Sequence, residues 1–388
     1  MAAVPEEKGE GPRRPARLKK LGVLVNPVAG MGGRVGLKGS DGAEILRQAR
    51  QLGAVPHSPG RAIQALQAIS RIKDQIELTT YPHEMGEDEV RACGLVPHVI
   101  GSITKGATTA EDTRRAVRQM EQQGIDLLLF AGGDGTARDI YHAVGQRVPA
   151  LGIPAGVKIH SAVYAVTPRH AGEVAARFLE GKLNVHVAEV MDIDEDAFRR
   201  GTVSATLLGY LQSPKDRRFV QSVKSGGIQG EREAQLGIAA DVIDQMNSAW
   251  LYLVGPGTTT RAIMEQLELP ATLLGVDVVR DKRLVASDVN ESELKQLVAD
   301  RSTKIVLSVI GGQGYILGRG NQQLSPAVLT KVGTENLIVV ASKEKLVSLA
   351  GRPLLVDTGD EQLDQTLSGY LKVTTGFREY VMVKVGSE

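Results

Sequence analysis

The chain has 388 residues, more than one typical hydrophobic core organises, so two domains are expected. Lys and Arg total 46 against 45 Asp and Glu, and this net charge of +1 argues against a broad nucleic-acid or membrane footprint. The composition, 42% apolar and 23% charged, is that of a soluble globular protein, and the single cysteine, Cys93, excludes an intramolecular disulfide and a cysteine-based zinc site.

No stretch approaches the roughly 18 apolar residues of a membrane span. The opening PEEKGEGPRRPARLKK is charged and rich in Pro and Gly, which reads as a mobile tail over residues 1–18 and not as a secretory signal. A cytoplasmic setting is expected. LGVLVN (21–26) is a buried strand ended by Asn-Pro. Residues 42–53 have helical spacing. Ser58-Pro59 reads as a cap and first position of a helix running to about Arg71. IELTTY (76–81) and PHVIGSI (97–103) read as strands. Thr108 with Glu111 forms a capping box before the next helix. DLLLFAGG (126–133) is the most apolar strand, with a helix from about Thr136. VPALGIPAG (148–156) is another strand, with a helix from about Lys158. Such repeated βα units predict an α/β domain with a parallel sheet covered on both faces, over 19–183.

From about 184 the pattern changes. VHVAEVMDIDEDAF and TVSATLLGYL read as longer strands joined by turns, and 221–235 as a polar loop. WLYLVGPGTTTRAIMEQL (250–267) reads as strand, glycine turn and helix. Residues 304–312, 336–342, 353–359 and 379–385 are apolar strand candidates. A β-rich, mixed α/β second domain over 184–388, completing a cleft, is the expectation.

In open α/β sheets ligands sit beyond the carboxyl ends of the strands, and the glycine clusters fall there. After the first strand comes NPVAGMGGRVGLKGSDG (26–42), whose glycines let the backbone turn N–H groups onto an anion. It is neither a Walker A loop nor a standard GxGxxG fingerprint. Gly30, Gly32, Gly33, Lys38, Ser40 and Asp41 are its candidate phosphate-binding residues. After the apolar strand comes Gly132-Gly133-Asp134-Gly135-Thr136. The glycines allow close approach to phosphates, and the helix start favours an anion. A carboxylate there is repelled by phosphate unless it has a task. Accepting the proton of an attacking hydroxyl during phosphoryl transfer is such a task. Helix capping by Asp134 is the alternative; it accounts for the acid but not for the flanking glycines. Lys158 could reach an anion at the sheet's mouth, or be solvated. The acids Asp192, Asp194, Glu195 and Asp196 could hold Mg²⁺ or mark a solvated strand end. Gly311-Gly312-Gln313-Gly314 could line the cleft or form a turn. No histidine spacing suggests zinc, and no metal ligand is assigned.

GGDGT after an apolar strand, with Asn-Pro-x-x-Gly after the first strand, resembles the NAD kinase and diacylglycerol kinase superfamily. GGDGTARDI, GIPAGVKIHSAVYA, GPGTTTRAIMEQL, GGQGYILGRGNQQ and the first loop together resemble its ATP-NAD kinase family, in the AcoX-like branch. The resemblance covers nearly all of 20–385. It implies that Gly132, Gly133, Gly135 and Thr136 contact phosphates and that Asp134 activates or orients the acceptor hydroxyl. It places Asn26 and Gly30 beside the phosphates, and Gly257, Thr258, Thr259 and Thr260 where the second domain meets the nucleotide. It implies ATP (or polyphosphate) as donor, Mg²⁺ or another divalent cation, and a homo-oligomer. Two departures stand out. There is no clear Asn-Glu or Asn-Asp pair between 137 and 200 to grip adenosine. In PAGVKIH, Pro154 and Gly156 match diacylglycerol kinases, but Ile159 and His160 replace an Asn and an Asp. The expected function is a kinase phosphorylating NAD to NADP. Another small hydroxylated acceptor is the second expectation, and a non-catalytic nucleotide-binding regulator the third. A lipid acceptor lacks the amphipathic basic segment needed for membrane docking.

Overall fold

The computed structural model describes residues 17–37, 43–157, 159–193, 205–216, 229–272, 274–311 and 313–386. Lys38, Ser40, Asp41, Lys158, Asp194, Glu195, Asp196, Gly312, the side chain of Asp192 and all but the last two residues of the expected tail lie outside them.

The first sheet is built from β1 (Lys19–Val25), β2 (Ile76–Thr80), β3 (Pro97–Val99), β4 (Leu127–Gly132) and β5 (Ala150–Pro154), in the order β3-β2-β1-β4-β5. All pairings are parallel. Helices α1 (Ala43–Gln51), α2 (Ser58–Ile69), α3 (Glu87–Ala92), α4 (Ala110–Gln122), α5 (Asp134–Val144) and α6 (Pro168–Leu179) connect and cover it. Strand alternation sorts the core into two layers. Leu127 and Leu129 pack with Leu66 and Ile69 of α2 and Val174 of α6. Leu128 and Phe130 pack with Met120 of α4 and Ile140 of α5. Each fully buried leucine contributes about 1.5–3 kcal/mol, which is why these strands read as unbroken apolar runs.

An antiparallel ribbon follows, β6 (Val185–Ile193) with β7 (Ala205–Pro214). Then come α7 (Gln229–Asp244) and an eight-stranded sheet of order β10-β9-β8-β11-β12-β14-β15-β13. Its strands are β8 (Leu251–Val254), β9 (Asp277–Arg280), β10 (Arg283–Ala286), β11 (Thr303–Ser308), β12 (Leu337–Val340), β13 (Leu354–Leu355), β14 (Gly369–Gly376) and β15 (Glu379–Gly386). β8, β11, β12 and β14 run parallel, while β9, β10 and β15 supply antiparallel pairings. Between strands lie α8 (Thr258–Gln266), α9 (Glu291–Val298), α10 (Pro326–Val332), α11 (Lys343–Val347) and α12 (Glu361–Leu367). The second domain is therefore a mixed sheet with helices on both faces, one core layer holding Leu294 of α9 and the other Ile263 of α8. Among the described residues no helix is long and apolar enough to cross a membrane.

Four local expectations are corrected. The capping box is Thr109 with Asp112, one residue later than read, because Thr109 is the residue in extended conformation. α2 begins at Ser58 itself, with His57 before it and no side-chain cap. No helix starts near 158. Among the described residues, those from Ala155 to Val157 and from Ile159 to Thr167 are irregular except for a bridge between Gly152 and Tyr164, because their backbone groups are taken by neighbouring segments. The expected loop over 221–235 is helical from Gln229.

Candidate active site

β1 leads to β2 and β3 on one side of the first sheet, whereas β4 and β5 lie on the other. The loops leaving β1 and β4 thus diverge at a topological switch point, where open α/β sheets form their crevice. Asn26 joins the two loops. Its backbone N–H donates to Ala131 O (3.0 Å), its Nδ2 to Thr136 Oγ1 (3.0 Å), and its Oδ1 accepts from Val28 N (3.3 Å).

The glycines here answer to close backbone approach. A Cβ on Gly132 would stand 2.4 Å from Thr136 Oγ1, and Gly132 O accepts the N–H groups of Ala155 (2.9 Å) and Gly156 (3.0 Å). Gly30 has φ +80°, and a Cβ there would stand 2.1 Å from Ala155 O. The first loop is thereby pressed against the chain leaving β5. Gly33 lies against Gln322 of the second domain, and Gly32 O accepts from Leu37 N (2.8 Å). Gly133 precedes α5, and its carbonyl accepts from Thr136 N (2.8 Å) and from Tyr164 Oη (2.6 Å). Burial, and then the nearby Asp134 carboxylate, push the Tyr164 phenol well above its ordinary range, so Tyr164 serves as a neutral donor. The N–H groups of Asp134 and Gly135, at the start of α5, are not consumed by intrahelical bonds.

Asp134 is 8% exposed. It does not cap its own helix. Its Oδ2 accepts from His160 N (2.8 Å) and faces His160 Nδ1 (3.3 Å), and its Oδ1 accepts from Ser161 N (2.9 Å). The carboxylate therefore holds the 159–161 segment across the mouth of the sheet. Two further groups grip that segment. Gln313 Nε2 of the second domain donates to Ile159 O (2.9 Å), and Ala162 N donates to Glu189 O of β6 (2.8 Å).

The string GGQGYILGRGNQQ supplies the docking between domains. Besides Gln313, Gly320 N and Gln322 Nε2 donate to Val157 O (3.1 and 3.0 Å), and Tyr315 Oη donates to Val166 O. Arg319, 5% exposed, donates from Nη2 to Val166 O (2.9 Å), and its guanidinium lies 4.7 Å from the Tyr315 ring centroid. Gly318, at φ +86°, passes so close to Asp357 that a Cβ would stand 1.9 Å from its carbonyl oxygen.

Asn26, Gly30, Gly132, Gly133, Asp134, Thr136 and Gly156 are thus gathered by the structure. Gly257 to Thr260 belong to the second sheet beyond β8. Gly257, at φ +136°, lies against Ser308. Thr260 Oγ1 donates to Gly257 O (3.0 Å), Thr259 Oγ1 accepts from Lys345 Nζ (2.7 Å), and Thr258 is exposed. Two of these three hydroxyls are engaged inside the domain. His160, Ser161, Tyr164, Arg319 and Lys345 were not foreseen as site groups. His160 was visible only as a departure from a motif, and a lone buried lysine such as Lys345 has no sequence signature.

The model of the ATP-NAD kinase N-terminal domain matches residues 22–183, and that of the ATP-NAD kinase C-terminal domain matches residues 249–385. The chain belongs to the ATP-NAD kinase family. No curated protein is significantly similar to it. Among solved structures it is similar to a protein provisionally assigned as a diacylglycerol kinase from Bacillus anthracis str. Sterne, at 15% identity and a TM-score of 0.23, over 61% of this chain and 59% of that one.

Proposed function

We propose that this kinase transfers the γ-phosphoryl group of ATP to a hydroxyl of a nucleotide-like acceptor, NAD being the first to test, with Asp134 receiving the hydroxyl proton. The observation that carries the reading is the position of Asp134. It stands at the start of α5, between two glycine loops that meet at the switch point, with backbone N–H groups of that helix start beside it. In the reaction the acceptor oxygen forms a bond to the γ-phosphorus, the bond to the ADP oxygen breaks, and the proton passes to Asp134. A carboxylate already oriented by two backbone donors needs no reorganisation as the hydroxyl arrives. A groove of about 620 Å³ beside the first loop, lined by Pro27, Val28, Met31 and Leu46 with Arg47 and Lys105 among its polar residues, suits the base and ribose of the donor.

Among the described residues no group of three or more His, Cys, Asp or Glu side chains gathers to hold a metal ion. The Asp134 oxygens are surrounded by N–H donors. The described residues therefore do not fit a protein-built Mg²⁺ cage. Mg²⁺ commonly binds through substrate phosphates and water, where it neutralises phosphate charge, and no step is assigned to it here.

One observation favours a second reading, a nucleotide-binding protein without turnover: both Asp134 oxygens already serve to anchor the 159–161 segment. Asp134→Asn separates the two. A base lost from an intact site lowers turnover by about 10²–10⁴-fold with ATP affinity kept. An anchor lost from a binding protein lowers ATP affinity, with no phosphoryl transfer by either form.

A further inference from the structure

On the other side of the first loop from the apolar groove lies a polar cavity of about 160 Å³. Ala155 and Gly156 form part of its wall, and their N–H groups bond Gly132 O, so it opens beside the Asp134 site. Its far wall comes from the second domain, including Gln322 and Asp357.

Four features of this wall point to a ligand. Arg34 is half-buried, and its guanidinium makes no hydrogen bond or ion pair with the described residues. Arg61, its neighbour in the wall, pairs with Asp357 through Nη1 at 2.7 and 2.5 Å. The residues lining the wall therefore carry a surplus positive charge, with the Glu291 carboxylate outside the lining close enough to Arg34 to attract it. The start of α2 also faces the cavity through Gly60, and the preceding residue His57 offers no side-chain cap, so the N–H groups of Ser58 and Gly60 (Pro59 has none) have no acceptor among the described residues. Gln322 donates from Nε2 to Val157 O and Gly318 O, which fixes its amide, yet its Oε1 is buried with no partner among the described residues. A buried acceptor left unmatched costs about 1–3 kcal/mol, and a ligand donor removes that cost. Burial, and then the charges of Arg34 and Arg61, lower the His57 pKa to about 4, so His57 lines the cavity uncharged at neutral pH.

We propose that this cavity is the acceptor's subsite and takes an oxyanion substituent, phosphate or carboxylate, on Arg34 and the first turn of α2, while Gln322 Oε1 accepts from a hydroxyl of the same compound. The acceptor class is thus a hydroxylated acid or phosphate ester. This rests on the kinase reading of Asp134, with the apolar groove left to the donor. The first loop and the start of α2 divide the two volumes, since Met31 and Pro59 line the groove whereas Gly30 and Gly60 line the cavity.

The test is calorimetric titration of the full chain with inorganic phosphate, alone and with a saturating non-hydrolysable ATP analogue. Wild type binds phosphate, and the analogue leaves that binding in place. Arg34→Gln weakens phosphate binding at least tenfold while ATP affinity stays within twofold. Displacement of phosphate by the analogue, equal phosphate binding by Arg34→Gln, or parallel loss of ATP and phosphate affinity overturns the proposal. Asp134→Asn keeps phosphate binding, so failure of the base assignment and failure of the subsite are read separately.

Discussion

Gly30 and Gly36 are a matched pair of residues in the first loop, with φ of +80° and +76°. They differ in surroundings. A Cβ on Gly30 would stand 2.1 Å from Ala155 O, whereas one on Gly36 would meet only Asn290 Cβ at 3.8 Å. Gly36→Ala therefore carries only the left-handed backbone cost, about 1 kcal/mol. Gly30→Ala adds displacement of a carbonyl and lowers stability by about 2–3 kcal/mol. Urea unfolding of the two variants checks the difference. Gly30→Ala is also expected to depress turnover, because Ala155 continues into the segment that Asp134 holds. Gly132 shows the same economy of space: it is glycine because Thr136 lies where a side chain would stand.

Helix starts carry the pH behaviour. His57 precedes α2, and burial with nearby Arg34 and Arg61 lowers its pKa to about 4. The folded chain gives up that proton before the unfolded chain does, so this contribution is full above about 6.5 and is lost as pH falls through about 4. Glu89 lies in the first turn of α3, and burial, reinforced by Asp88 and Glu84, raises its pKa to about 7. The folded chain keeps that proton longer, so this contribution is full below about 4.5 and is lost as pH rises through about 7. The two slopes oppose each other between about pH 4.5 and 6.5. Wild-type stability is therefore flat there. His57→Gln becomes less stable as pH rises across this window, and Glu89→Gln less stable as it falls; denaturant titrations at several pH values check both signs. The same two positions show what the sequence conceals. The strands of the first sheet were legible because burial on both faces imposes continuous apolar runs, and GGDGT was legible because only close backbone approach requires such glycines. The helix expected from about Lys158 is absent over 159–167 because the partners of that segment, Asp134, Gln313 and β6, are distant in sequence. β9, β10 and β14 went unseen because short or half-exposed strands carry weak apolar signals. Within the site the loops were legible, whereas the carboxylate's hold on His160 and Ser161 was not, since backbone donors leave no mark in residue identity.

The whole molecule is held at the cleft by bonds between the 313–322 segment and 157–166, and by the Arg61–Asp357 pair, whose side chains are 18% and 11% exposed. Arg61→Ala leaves Asp357 buried without its cation and costs about 3 kcal/mol, whereas Arg61→Met with Asp357→Leu costs much less. A double-mutant cycle in urea measures the difference, and simple additivity of the single changes would sink the claim of a buried coupled pair. Because Gln313 holds the same segment as Asp134, docking of the second domain and placement of the carboxylate are one mechanical unit. The measurement that reaches the central claim most directly is NADP formation from Mg-ATP and NAD by wild type and by Asp134→Asn, with ATP affinity measured on both. NADP from wild type, and about 10²–10⁴-fold less from a variant that still binds ATP, is the expected result. Equal rates from the two forms would contradict Asp134 as the base.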